Sequence, residues 1–296
     1  MQENFINVGA IRTRYLSEGS GGTPIVFVHG GTIGDVSSAS NAEDFEPLIA
    51  EIGKDRLAIA VDRLGQGYTD NPSEDEVIGW TMKGSVQHFI AFLEELGKGP
   101  YHLVGHSRGG YVVTRTTLER PDLVASLTIG DSNTVAPGGA RNEGIHLRNP
   151  HKPGTREAME FTTNAYYFSP ETLSSASIDK KLEILATPKI RKAIARMGPG
   201  GYRVKHFLPD LAKDREELFM RLANEPLQRR VQILWAYNDP TAPIEMGYSL
   251  FELIAKHQPR TSIQIVNQSG HSLYRERFEN FIRVLKDHLE GVTDGC

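Results

Sequence analysis

One glycine-flanked serine constrains this chain more than any other feature. Gly105-His106-Ser107-Arg108-Gly109-Gly110 follows the apolar run Tyr101 to Val104 and precedes a helical pattern over 107–120 that Pro121 stops. A G-x-S-x-G pentapeptide alone is weak, because short patterns recur by chance. Between a buried strand and a helix it becomes a turn so tight that the neighbours of the serine must lack side chains, and the hydroxyl is held out above a sheet. The rest of the chain has to supply that sheet.

The flanking sequence does so. Phe5 to Val8 and Ile11 to Leu16 around Gly9 read as a hairpin. Ile25 to Val28, Leu57 to Val61, Tyr101 to Val104 and Leu123 to Ile129 are short runs apolar on both faces, as strands of a covered parallel sheet require. Helical spacing over Ala42 to Ile52, Met82 to Leu96 and 107–120 separates them. Alternation of this kind predicts an α/β fold with a mostly parallel sheet flanked by helices. From Pro137 to about Gln228 no comparable strand appears, only helical stretches broken by Gly and Pro. Alternation then returns with a strand Val231 to Tyr237, a helix over 245–257, a strand Ser262 to Val266 and a helix over 274–290. The expected organisation is a core of 1–137 and 229–296 interrupted by a helical cap over 138–228.

A serine hydroxyl needs a base, and the base needs an orienting acid. Just past the carboxyl ends of the last two strands lie Asp239 and His271, at the edge where sites of open α/β sheets form and in the chain order Ser, Asp, His. Asp131, just past the strand that follows the serine, is a competing acid. An oxyanion hole would use the backbone N–H of Arg108 and one from His29-Gly30-Gly31-Thr32, with Gly31 first and Thr32 next.

Other chemistries find no support. Acidic residues exceed basic ones to leave a net charge of −4, which argues against a nucleic-acid binder. No apolar run approaches the roughly 18 residues of a membrane span. Met1-Gln-Glu-Asn starts no leader pattern, and Cys296 is the single cysteine, so the expectation is a cytoplasmic protein without disulfides. Gly65-Gln-Gly67 reaches Asp70 where a dinucleotide fingerprint needs glycine. His102 and His106 sit four apart on a strand, roughly 13 Å, too far to share a metal. No metal and no cofactor is implied, and homo-oligomerisation is left open.

Taken together, HGG at 29–31, DRLGQG at 62–67, GHSRGG at 105–110, WAYND at 235–239 and GHS at 270–272 resemble the α/β-hydrolase fold over nearly the whole chain. The N-terminal segment from Phe5 to Tyr15 and the cap resemble the meta-cleavage-product hydrolases, which split a C–C bond in 2-hydroxy-6-oxohexa-2,4-dienoates. That family commonly has Asn where this chain has His106, Trp where it has Ser272, and HGGGPG where it has HGGTIG. The resemblance implies a Ser107–His271–Asp239 triad, a carboxylate-bearing substrate derived from an aromatic compound, and substrate contacts from Thr32, His106, Lys181 and Arg191. Lys180 and Arg108 are further cations, and Ala165 to Phe168 an aromatic run, that a cleft could use. The same machinery cleaves esters, so a carboxylesterase or lactonase is the alternative, ahead of a non-catalytic binding module. Haloalkane dehalogenases and epoxide hydrolases use Asp, not Ser, at this turn.

Overall fold

The computed structural model describes residues 1–291, so Cys296 lies outside the described residues. Eight strands form one sheet: β1 (Gln2–Val8), β2 (Ile11–Glu18), β3 (Ile25–Val28), β4 (Ala58–Val61), β5 (Tyr101–His106), β6 (Val124–Gly130), β7 (Val231–Ala236) and β8 (Thr261–Val266). Their order is β1-β2-β4-β3-β5-β6-β7-β8. The first two pair as the expected hairpin, β2 is antiparallel to β4, and every pairing from β4 to β8 is parallel. In β3, β4, β5 and β7 every residue is buried, which accounts for their unbroken apolar runs.

The helices cover both faces. Helices α1 (Glu46–Ile52), α2 (Met82–Leu96) and α3 (Arg108–Glu119) belong to the first half of the sheet. Thr81 caps α2 by accepting the Gly84 N–H at 3.3 Å, and Gly97 ends it in the left-handed conformation. Between β6 and β7 run α4 (Asn142–Arg148), α5 (Arg156–Tyr166), α6 (Ser175–Ala186), α7 (Pro188–Met197) and α8 (Leu208–Asn224). After β7 come α9 (Ile244–Ala255), α10 (Leu273–Glu276) and α11 (Phe278–Glu290).

Apolar packing divides by sheet face. Val112, Trp235, Phe89 and Leu250 belong to one cluster, while Phe27, Phe45, Ile49 and Leu285 belong to another. Met159, Ile178, Ile184 and Ile190 of α5 to α7 make a separate small cluster with Ala39. Leu218 and Leu222 of α8, with Ala193 and Met197 of α7, join the main cluster with Val112 and Trp235. The helix expected over 274–290 is interrupted at Arg277, where φ is −129° and ψ 50°. Tyr274, Phe281 and Leu285 keep helical spacing across the break, so periodicity alone does not register it.

Candidate active site

The carboxyl ends of β3, β5, β6, β7 and β8 bring the chemically interesting residues to one edge of the sheet. Ser107 follows β5 directly and stands outside α3, with φ 53° and ψ −126°. A non-glycine residue in that region is strained by roughly 1–3 kcal/mol and persists only where its surroundings enforce it. Here the Ser107 N–H donates to the Gly130 carbonyl at 2.9 Å, its carbonyl accepts the Gly110 N–H at 2.9 Å, and the Ser132 hydroxyl donates to the same carbonyl. The close approach of α3 to β3 requires Gly109, since a Cβ there would lie 2.0 Å from the Val28 carbonyl oxygen.

His271 and Asp239 meet across the β7–β8 ends. Nδ1 of His271 is 2.7 Å from Oδ2 of Asp239 and 3.0 Å from the Thr241 hydroxyl oxygen. Oδ1 of Asp239 accepts from the Thr241 N–H at 2.7 Å, the Thr241 hydroxyl at 2.8 Å and the Ala242 N–H at 3.1 Å. With its hydroxyl proton given to Asp239, Thr241 is an acceptor toward the ring, which fixes the proton on Nδ1 and leaves Nε2 with its lone pair. The imidazole is therefore oriented for use as a base.

The competing acid does something else. Asp131 is fully buried at φ 42°, and its Oδ1 accepts the Ala236 N–H at 2.7 Å. Its Oδ2 has no partner among the described residues. Burial, with the charge of Asp239 nearby, raises its pKa well above the usual carboxylate range. Asp131 instead fastens β6 to β7, and it is Asp239 that the fold sets against the imidazole.

Next to Ser107, the loop after β3 comes close enough that a Cβ on Gly30 would lie 2.8 Å from Ser107 Cβ. Gly31 has φ 74°, and among the described residues neither its N–H nor that of Thr32 meets an acceptor. Ser107, Arg108, Gly31, Thr32 and His271 all line one cavity of about 1070 Å³ between the sheet edge and α4 to α8. That volume matches pockets that enclose a small organic ligand.

The remaining expected contacts divide. His106 lines the cavity, yet its ring is committed: Nε2 donates to the His271 carbonyl at 2.5 Å, and the ring packs 4.9 Å from that of Tyr274. Burial pulls its pKa down to about 3, so it stays neutral. Lys181 also lines the cavity, but its Nζ is held by Asp44 at 2.9 Å. Arg191 is exposed and is not among the cavity-lining residues; α7 turns toward the core through Ile190 and Ala193 and carries Arg191 outward. Lys180 lies near Glu183 at 3.4 Å and over the Tyr68 ring. Arg108 has its Nε buried with no acceptor among the described residues and its guanidinium 5.8 Å from the Phe207 ring.

Two features escaped the sequence reading. The His271 N–H donates to the Tyr166 carbonyl at 2.8 Å, and the Tyr166 ring stands edge-on to the imidazole at 5.4 Å. Glu276 accepts the N–H groups of Phe168, Ser169 and Gly270, each at 2.8 Å. Together they pin the end of α5 to the loop that carries His271. Of the aromatic run, Tyr166 and Tyr167 line the cavity while Phe168 is exposed. Among the described residues no group of three or more His, Cys, Asp or Glu is arranged to hold a metal, and no helix is long and apolar enough to cross a membrane.

A mostly parallel sheet with a serine on a strained strand-to-helix turn and a carboxylate-bound histidine at the same edge defines an α/β-hydrolase. Residues 25–284 match the model of the Alpha/beta hydrolase family, and the chain belongs to that family. It is a hydrolase whose relatives include meta-cleavage-product hydrolases. It is 31% identical to the 2-hydroxy-6-oxo-6-(2'-aminophenyl)hexa-2,4-dienoic acid hydrolase of Metapseudomonas resinovorans, over 99% of this chain and 92% of that one. Identity to the 2-hydroxy-6-oxo-2,4-heptadienoate hydrolase of Pseudomonas putida is 24%, over 95% of this chain and 94% of that one. The solved 2-hydroxy-6-oxo-6-phenylhexa-2,4-dienoate hydrolase of Rhodococcus sp. strain RHA1 shares the fold, with a TM-score of 0.75 at 17% identity over 98% of both chains.

Proposed function

We propose that Ser107, His271 and Asp239 act as a catalytic triad, and that the enzyme hydrolyses the C–C bond of a 2-hydroxy-6-oxohexa-2,4-dienoate. The observation that carries the triad is the Asp239–His271 pair at 2.7 Å, sharing one strand edge with the strained Ser107. The substrate class rests on the relative that is 31% identical over 99% of the chain. Residues 138–228 would act as the cap that closes the cavity over the sheet edge.

In this reading His271 first moves a proton so that the dienol becomes a ketone. Ser107, or a water activated by the same His–Asp pair, then adds to the distal carbonyl carbon. The N–H groups of Gly31 and Arg108 receive the oxyanion; one such donor contributes roughly 3–4 kcal/mol in related acyl chemistry. Collapse breaks the C–C bond, the leaving carbon takes a proton, and the acyl group takes hydroxide from water. The products are a 2-hydroxydienoate and a carboxylic acid. A substrate carboxylate in a cavity lined largely by apolar groups needs a cation. Because Lys181 is already paired with Asp44, Arg108, whose buried Nε has no acceptor among the described residues, is the better anchor. The substrate is a small molecule met in the cytoplasm.

Cleavage of an ester or lactone is the second reading, favoured by His106 and Ser272 at two positions where meta-cleavage-product hydrolases commonly carry Asn and Trp. Turnover of a coloured ring-fission dienoate beside p-nitrophenyl acetate separates the two. Efficient bleaching of the dienoate is expected; an enzyme that cleaves the ester and leaves the dienoate untouched is an esterase.

A further inference from the structure

Arg63 is an arginine 4% exposed that makes no ion pair with any described carboxylate. Its guanidinium is spent on the loop after β3. Nη1 donates to the carbonyls of Gly30 and Gly31, each at 3.1 Å, and approaches that of His29 at 3.5 Å. On its other side Nη2 and Nε hold the Ser85 hydroxyl at 3.1 and 3.3 Å, which fixes the plane of the fork. The Arg63 N–H donates to Nε2 of His29 at 3.1 Å, so the His29 proton sits on Nδ1, which donates to the Gly30 carbonyl at 2.9 Å. His29 is neutral, with burial and the Arg63 charge pulling its pKa down to about 3. Arg63 thus supplies the positive charge behind this loop.

Peptide planarity converts that clamp into a statement about the cavity. In a trans peptide the C=O and the following N–H point in opposite directions. Turning the Gly30 carbonyl toward Arg63 turns the Gly31 N–H away from it, and the Gly31 carbonyl does the same to the Thr32 N–H. Gly31 and Thr32 line the cavity beside Ser107, and Arg63 does not. A buried charge without a counter-ion is costly and has to be justified by something it does.

We propose that Arg63 is a positioning residue that aims the Gly31 and Thr32 N–H groups at the oxygen of the tetrahedral intermediate and polarises them through their own peptides. The negative charge missing from its surroundings is the one that develops on that oxygen during reaction. In a site of low dielectric, a fixed cation on the far side of the donors' own peptides strengthens them without having to reorganise. This rests on the reading of Ser107 as the nucleophile.

The test uses p-nitrophenyl acetate turnover and the adduct that a trifluoromethyl ketone, ¹³C-labelled at its carbonyl, forms with a catalytic serine. Carbon NMR follows the ionisation of the resulting hemiketal. Arg63→Gln removes the charge and keeps one donor, whereas Arg63→Lys keeps the charge. We expect Arg63→Gln to lower kcat at least tenfold with KM within threefold, and to raise the hemiketal pKa by at least one unit. Arg63→Lys should recover most of both. If Arg63→Gln fails to fold, Arg63→Lys is compared with Ser85→Ala, which leaves both the charge and the Nη1 bonds to the Gly30 and Gly31 carbonyls; the hemiketal pKa should then rise more in Arg63→Lys than in Ser85→Ala. A hemiketal pKa unmoved in every folded variant overturns the proposal and leaves Arg63 a packing residue. A wild-type protein that forms no adduct, or a Ser107→Ala protein that forms the same one, overturns the nucleophile assignment and this proposal with it.

Discussion

His106 and His271 are joined ring to backbone: Nε2 of the first donates to the carbonyl of the second at 2.5 Å, while the two rings pack 4.7 Å apart. The residue just before Ser107 therefore holds the residue proposed to activate it. His106→Ala removes this buried hydrogen bond, at a cost of about 1–3 kcal/mol from the carbonyl left unpaired. We expect a lower thermal midpoint and a kcat at least tenfold lower, with KM for p-nitrophenyl acetate changed less. Steady-state kinetics and a melting curve on the same preparation check it; unchanged kcat would show that Tyr166 and Glu276 hold the His271 loop unaided.

The two buried aspartates should respond very differently to the same substitution. Asp239→Asn takes away the acceptor that keeps the His271 proton on Nδ1, and kcat should fall by several orders of magnitude. Asp131→Asn retains an oxygen for the Ala236 N–H, removes a carboxylate that burial already disfavours and leaves the Asp239–His271 contact in place, so kcat should stay within about threefold. Ranking the two variants by kcat decides the matter, and the reverse order would move the orienting acid to the end of β6.

Asp131 also predicts a pH dependence of stability. Its folded pKa is raised, so between the unfolded value near 4 and that higher folded value the native state binds more protons than the unfolded one. Stability conferred by the protonated group is fully present below the unfolded pKa and is lost as pH rises through the folded pKa. Asp131→Asn cannot titrate. Its melting temperature relative to wild type should accordingly climb from pH 4 to pH 8; a constant difference across that range would show that Asp131 does not ionise differently in the two states.

Substrate charge is tested at Arg108 and Lys181. Arg108→Met should raise KM for a ring-fission dienoate at least tenfold, or about 1.4 kcal/mol, and leave KM for p-nitrophenyl acetate nearly unchanged. Lys181→Ala should do less, because Lys181 already serves Asp44, which keeps Arg275 at 3.3 Å as a second partner. Equal losses on both substrates for Arg108→Met would assign that guanidinium to packing against Phe207.

Much of this site could be read before any coordinates. The turn at Ser107 was legible because its glycines are forced by contact between α3 and β3, and the buried strands because both their faces are apolar. The acid could not be decided in the same way, since Asp131 and Asp239 both follow strand ends. What separates them is the loop geometry that sets Asp239 and Thr241 against His271. Among the cations the resemblance favours Lys181 as the carboxylate anchor; only packing pairs Lys181 with Asp44, leaves Arg191 off the cavity lining and leaves Arg108 Nε without an acceptor among the described residues. Glu276 leaves no local signal, and the aromatic run over 165–168 marks Tyr166 for a cleft but not for the His271 N–H, because these partners are backbone groups or lie far along the chain. Helix α8 was legible as a helix and not in its allegiance, for its periodicity does not say that Leu218 and Leu222 pack with the main core.

Ser107→Ala addresses the central claim most directly. Turnover of a ring-fission dienoate and of p-nitrophenyl acetate would be measured on this variant alongside its melting temperature. Loss of both activities by several orders of magnitude, in a protein that melts no lower than wild type, is what a nucleophile held on a strained turn predicts. Near-wild-type turnover of either substrate in the folded variant would contradict the account.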